Sequence, residues 1–286
     1  MPIHYPEILN AGAPDQLWRW TENDTILYAL CLGLGADPLD SGKLRYVLET
    51  DLRVMPTLPT VIAWAAEPTF TRLGIDPALA LHGEQKIELH RPVPAAWTAR
   101  ISGRVLSVVD KGRDKGAIVV TEQTLADNST GELVATMTTT CFARGEGGCG
   151  GAVARSNPPH PIPVRAPDAS LRFPTRPDLA LFYRLTGDRN LLHADPAAAR
   201  AGGFDRPILH GLCSFGMTCR AVLETFGGDD PTRIASHQAR FVAPVYPGDT
   251  LTVDLWHDAP DVVSFEARVE ERGVKVIGNG KATLRS

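Results

Sequence analysis

Apolar and polar residues alternate with a period of two over residues 80–89, 97–109, 117–125 and 133–143, and again over 235–242, 251–257, 262–270 and 274–284. In the last group but one, Val263, Phe265, Ala267 and Val269 fall on one face, while Ser264, Glu266, Arg268 and Glu270 fall on the other. That pattern predicts half-buried antiparallel strands. A helical period runs through 211–226, where Leu212, Phe215, Cys219, Val222, Leu223 and Phe226 make one apolar face. Two shorter helical stretches are predicted: 24–34, capped by Thr21, and 178–185, which stops at Gly187. The stretch 55–66 stands before the first group of strands as 211–226 stands before the second.

The order of one helical stretch and four strands therefore occurs twice. Arg91-Pro92-Val93-Pro94 and Ala243-Pro244-Val245-Tyr246-Pro247 end corresponding strands, and their first prolines lie 152 residues apart (244 − 92). The same offset carries Val61 onto Cys213, inside the second helix. Two copies of a long helix against a curled antiparallel sheet, an α+β arrangement, would pack as a pseudo-dimer whose strands merge into one larger sheet. Between them, 145–167 reads GEGGCGGAVARSNPPHPIPVRAP, flexible glycines followed by stiffening prolines, which predicts a linker. The expected organisation is an N-terminal repeat over 1–144, that linker, and a C-terminal repeat over 168–286.

Composition narrows the function classes. The 286 residues suit two modules that each bury a core, and 43% hydrophobic with 22% charged residues places the chain in the globular class. A net charge of -4, without basic clusters interleaved with aromatics, argues against nucleic acid as partner. No stretch approaches the ~20 apolar residues of a membrane span, and residues 1–20 lack the apolar core of a signal peptide, so a cytoplasmic protein without a membrane partner is expected. Leu284-Arg285-Ser286 does not match a peroxisomal ending. The five cysteines form no CxxC pair with nearby histidines and read as reduced, mostly buried thiols, with no metal site.

The chemistry concentrates in Tyr183-Arg184-Leu185-Thr186-Gly187-Asp188-Arg189-Asn190-Leu191-Leu192-His193. An acid, an amide and an imidazole within six residues, just beyond a helix stop, can face one cavity. A carboxylate beside an imidazole can hold one water, one group taking its proton while the other supplies a proton to the neighbouring carbon. Pro207-Ile208-Leu209-His210-Gly211 then leads into the long helix, whose first N–H groups lack internal partners and suit a developing oxyanion. Gly211 has no side chain to block that approach. By itself a Gly-Asp-x-Asn turn is more often a plain capped turn, and His210 reads as a structural neighbour. The joint presence of Asp188, Asn190, His193 and Gly211 favours addition of water to an enoyl thioester.

This constellation resembles the hydratase 2 enzymes of the MaoC-like dehydratase group, (R)-specific enoyl-CoA hydratases with a double hot-dog fold. Residues 183–199 match the group's motif except that Leu191 stands where the group has proline. Gly35-Ala36-Asp37-Pro38, Arg53-Val54-Met55-Pro56-Thr57, His82-Gly83-Glu84-Gln85 and Asp110-Lys111-Gly112 look like further motifs, so the resemblance spans nearly the whole chain. It implies catalytic roles for Asp188, His193, Asn190 and Gly211. It implies substrate-binding roles for His82, Gly83, Lys111, Arg189, Leu191, Leu192 and Phe241, with Lys111 at a CoA phosphate and Phe241 near the thioester. It further implies an acyl-CoA substrate, no metal or redox cofactor, a place in fatty-acid β-oxidation, a catalytic second repeat with a non-catalytic first, and a homodimer. Two alternatives stay open: dehydration of a 3-hydroxyacyl group on a carrier protein or specialised CoA ester, and an acyl-CoA binding module with a vestigial site.

Overall fold

The computed structural model describes residues 3–67, 73–76, 79–152 and 158–285. In chain order the strands are β1 (Ala13–Trp20), β2 (Ala80–Leu89), β3 (Trp97–Asp110), β4 (Ala117–Asp127), β5 (Leu133–Ala143), β6 (Ala169–Pro174), β7 (Ile234–Phe241), β8 (Thr250–Ala259), β9 (Val262–Val269) and β10 (Val274–Leu284). They form one ten-stranded sheet in the order β1-β3-β4-β5-β2-β7-β10-β9-β8-β6, antiparallel throughout. Read from its two ends, that order lays β6, β8, β9, β10 and β7 over β1, β3, β4, β5 and β2. The halves join where Glu84 faces Arg240, Lys86 faces Gln238 and Glu88 faces Ser236. Lys86 and Gln238 lie 152 residues apart (238 − 86), the offset of the proline motifs, so the pseudo-two-fold axis passes through this pair.

Eight strands lie where the alternation placed them. The two further strands are the sheet edges: β1 shows no alternation and leaves Leu17 and Trp18 exposed, while β6 alternates over only six residues, with Phe173 its one buried residue. The helices are α1 (Glu22–Cys31), α2 (Ser41–Leu44), α3 (Pro59–Ile62), α4 (Leu179–Tyr183), α5 (Pro196–Ala201) and α6 (Gly211–Val222). A capping box starts α1, in which Asp24 Oδ2 accepts the Thr21 N–H at 2.8 Å. The apolar face of α6 is buried almost throughout, and a single π turn, Leu223–Gly227, prolongs it to Gly228 in the left-handed conformation.

The two repeats differ in their helices. Where the second has α6, the first has α3 followed by one 3-10 turn, Ala63–Ala66, after which Glu67 is extended (φ -65°, ψ 125°). Residue 68 is proline, and the residue before a proline is driven out of the helical region. A single buried cluster nevertheless runs through both halves, including Tyr28, Met55, Leu58 and Ile87 with Phe215, Val222, Phe265 and Ile277.

The glycine-rich part of the expected linker is folded onto the first half. The Asp110 carboxylate accepts the N–H groups of Gly112, Gly148 and Gly150 at 2.8, 2.9 and 2.9 Å. A Cβ at position 147 would come within 2.1 Å of the Gly112 carbonyl oxygen, so only glycine permits this contact. Residues 153–157 lie outside the described residues. Beyond them, His160 Nε2 lies 2.7 Å from Ser264 Oγ and Trp256 Nε1 donates to the Arg165 carbonyl at 2.9 Å, fastening the proline-rich part to the second half.

Candidate active site

The loop that follows α4 turns at Gly187, whose φ of 146° belongs to glycine and whose Cα faces the Val61 carbonyl of α3. Asp188 comes next. Its Oδ1 accepts the Asn190 N–H at 3.0 Å, and Asn190 Oδ1 in turn accepts the Leu192 N–H at 3.0 Å, capping the short 3-10 turn Leu191–His193. These two local bonds aim Asp188 Oδ2 and the His193 ring at each other. The separation of His193 Nε2 and Asp188 Oδ2 is 3.8 Å, too long for a direct hydrogen bond and suited to a bridged water.

His193 is held from two sides. Its Nδ1–H donates to the Ile208 carbonyl at 2.9 Å, so in the neutral ring the Nε2 lone pair faces Asp188. The His210 ring stacks on it with centroids 3.8 Å apart and planes at 26°, and His210 Nε2–H donates to the Asp188 carbonyl at 3.1 Å. Tyr183 of α4 backs His210 at 4.9 Å. Burial lowers the pKa of both imidazoles, and His193 also feels the opposing pull of the Asp188 charge. Both rings are therefore neutral near pH 7. Donor atoms of Asp188, His193 and His210 lie within 4.8 Å of one another, close enough for a three-ligand metal cluster. Stacked rings, however, direct their lone pairs in nearly parallel planes, and His210 Nε2 is occupied by a carbonyl, so the geometry suits water better than a shared cation.

The helix α6 begins at the same place. The N–H groups of Cys213 and Ser214 turn back to the His210 carbonyl, and among the described residues nothing accepts from the Gly211 N–H. Gly211 also makes room for a neighbour: a Cβ there would meet the Phe241 ring at 3.2 to 3.4 Å. Phe241 at the end of β7 contacts the His82 ring edge-on at 4.8 Å, and Trp64 stacks beyond His82 at 6.5 Å. The β-bulge in β2 between His82 and Glu84 sets this arrangement, because the extra residue puts His82 on the core face with Gln85 and turns Leu81 and Glu84 outward. His82 Nε2 lies 3.1 Å from Gln85 Oε1, and burial lowers its pKa to about 4.

Asp188, His193, His210, Gly211, Phe241, His82 and Trp64 line one cavity of about 600 Å³. Of the residues singled out from sequence, Asp188, Asn190, Leu192, His193, Gly211, His82, Gly83, Lys111 and Phe241 lie in its wall. Arg189 and Leu191 do not; both are exposed, since the local turns point 188, 190, 192 and 193 inward and 189 and 191 out. Leu191, at the position where the resembling group has proline, is thus a solvent-facing residue, 54% exposed. The sequence reading missed Trp64, Ile118 and Phe142, apolar wall residues that carry no polar signal, and the charged pair Glu84 and Arg240. His210, read from sequence as a structural neighbour, is one: its ring stacks on His193 and bonds the Asp188 carbonyl.

Comparison with known proteins finds relatives over nearly the whole chain. Residues 160–280 match the MaoC like domain, and residues 18–145 match the MFE-2 hydratase 2 N-terminal domain. An enoyl-CoA hydratase of Mycobacterium tuberculosis, ChsH3, is 41% identical over 269 residues, 92% of this chain and 93% of its own. A 3-hydroxyacyl-thioester dehydratase of the same organism, dehydratase Y, is also 41% identical, over 92% of this chain and 91% of its own. The crystal structure of a MaoC-like dehydratase from Phytophthora capsici superimposes with a TM-score of 0.87 at 31% identity, covering 99% of each chain.

Proposed function

The chain belongs to the MaoC-like dehydratases, in their hydratase 2 branch, and from that footing we propose that it reversibly hydrates a trans-2-enoyl-CoA to the (3R)-3-hydroxyacyl-CoA. One observation carries the assignment of the chemistry. The 3.8 Å gap between His193 Nε2 and Asp188 Oδ2 opens on a cavity that also holds the unpartnered N–H at the start of α6. A water in the gap meets two proton acceptors before reaction. As its oxygen bonds C3, one of them takes a proton, the C2=C3 π electrons move toward the thioester, and charge gathers on the carbonyl oxygen. The Gly211 N–H, at the positive end of the helix dipole, is the donor for that oxyanion. Collapse of the enolate then draws a proton onto C2. Hydroxyl on C3 and hydrogen on C2 account for one water, and with no redox change the reaction draws on no redox cofactor.

Asn190 acts through the loop, its side chain bracing the turn that carries His193. The name of the second mycobacterial relative favours the reverse direction, dehydration of a 3-hydroxyacyl thioester, by the same groups. Crotonyl-CoA tests the proposal, since hydration abolishes the absorbance of its conjugated thioester. Asp188→Asn and His193→Gln are each expected to slow that loss by roughly 10²–10⁴-fold, the usual worth of a positioned acid or base. Wild-type rates in both variants would defeat the assignment, as would a product accepted only by a (3S)-specific dehydrogenase.

A further inference from the structure

Arg240 and Glu84 face each other across the junction of the two halves and line the same cavity as Asp188 and His193. Their nearest approach is Arg240 Nε to Glu84 Oε1 at 3.1 Å, and among the described residues no acceptor meets the two terminal Nη groups. The side chains are 50% and 44% exposed, and an ion pair this wet contributes little to stability. An arginine binds a phosphate more strongly than a solvated carboxylate, through paired N–H donors.

The internal symmetry shows that this arginine is not a general fastening of β2 to β7. The pseudo-two-fold axis through Lys86 and Gln238 carries the Glu84–Arg240 pair onto Ser236–Glu88. There a glutamate, Glu88, stands in place of the cation and a serine, Ser236, in place of its carboxylate, and Glu88 turns to Lys86 of its own strand at 2.9 Å. A cation that only joined the halves would serve equally at both ends. It stands at the end where the cavity opens, on the outward side set by the bulge at Gly83. Lys111, the other cation of that cavity, has no ion-pair partner among the described residues.

From this we infer that Arg240 is the docking cation for a phosphate of the thioester's phosphopantetheine handle, with Glu84 a placeholder that the phosphate displaces. The inference rests on the thioester hydratase reading above. The handle runs from the thioester at Gly211 out along the rim, and its phosphate takes the two Nη groups while Glu84 is released to water.

Steady-state hydration of crotonyl-CoA is compared with that of crotonyl-N-acetylcysteamine, which has no phosphate. Arg240→Met is expected to raise KM about tenfold more for the CoA ester than for the short one, the worth of one charge-assisted hydrogen bond, with the change in KM and not in kcat. Glu84→Gln is expected to act oppositely and lower KM for the CoA ester. Equal effects of Arg240→Met on both thioesters, or a rise in KM from Glu84→Gln, overturns the inference and leaves the pair as a structural contact. Crotonyl-4′-phosphopantetheine separates two sources of the phosphate. Retention of the Arg240 effect supports the contact on the phosphate shared by CoA and carrier proteins; its loss moves the contact to the phosphates that CoA alone carries and overturns the assignment to the phosphopantetheine phosphate. Should the wild-type protein hydrate neither ester, the hydratase reading fails by itself. Calorimetric binding of CoA then still tests Arg240, and undiminished binding by Arg240→Met overturns the inference.

Discussion

Buried histidines carry much of the chain's chemistry, and they also make its stability depend on pH. His237 is fully buried between Phe215 at 4.7 Å and Phe265 at 4.5 Å, and burial lowers its pKa to about 3, while His82 is lowered to about 4. An unfolded histidine titrates at about 6.5. Between those values the unfolded chain binds protons that the folded chain refuses, so stability is fully present above about pH 6.5 and declines as pH falls toward about 3. For His237 alone the loss at pH 5 is about 2 kcal/mol, 1.5 units at about 1.4 kcal/mol each. Urea midpoints are expected to fall from pH 7 to pH 5, and to fall less in His237→Phe, which keeps the stacked ring without the titration. An identical decline in both proteins would show that the acid sensitivity lies elsewhere.

At the scale of elements, the segment of most consequence is the glycine-rich strap over 145–152. Its composition reads as a flexible linker, yet Asp110 gathers three of its own and its neighbours' N–H groups, and those bonds hold the carboxyl below the usual carboxylate range. Lys111, the next residue, lies in the cavity wall, so the strap braces the β3–β4 turn that presents a cation to the site. Asp110→Ala is expected to speed amide hydrogen exchange at Gly148 and Gly150 by roughly tenfold or more, as loss of a charge-assisted bond predicts. Exchange at the wild-type rate would mean that packing of the glycines, and not the carboxylate, seats the strap. Composition misled here because flexibility is a property of the isolated chain, and the same lack of side chains lets backbone approach backbone once a partner surface exists.

Across the whole molecule the two halves share one core and one sheet. Ile87 in β2 is fully buried and sits directly opposite His237 in β7, on the seam between repeats. Truncation of a side chain so placed costs roughly 2–5 kcal/mol. Ile87→Ala is expected to lower the urea midpoint by a corresponding amount while tryptophan fluorescence and far-ultraviolet circular dichroism still report one coincident transition. Trp18, Trp20, Trp64 and Trp97 probe the first half, and Trp256 the second. Two separated transitions in the variant would show that the halves fold as independent units. No described helix is long and apolar enough to cross a membrane.

Strand periodicity, the duplication and the Asp188 to His193 motif were legible in the chain because each is a local pattern: alternation for a one-sided sheet, a constant offset between copies, and a turn closed by its own side chains. The register of the seam was not legible, since the 152-residue offset is met by any residue paired with its own counterpart, and only the folded sheet places the axis at Lys86 and Gln238. The edge strand β1 was invisible because, with few residues buried, it shows no alternation, and β6 was missed because its alternation lasts only six residues. Only the folded molecule decided that His210 stacks on His193, that a bulge swings His82 inward and Glu84 outward, and that Arg189 and Leu191 face away from the cavity. The first two depend on contacts between residues far apart in the chain, and the third on where the cavity lies relative to a locally closed turn, which spacing along one segment does not give.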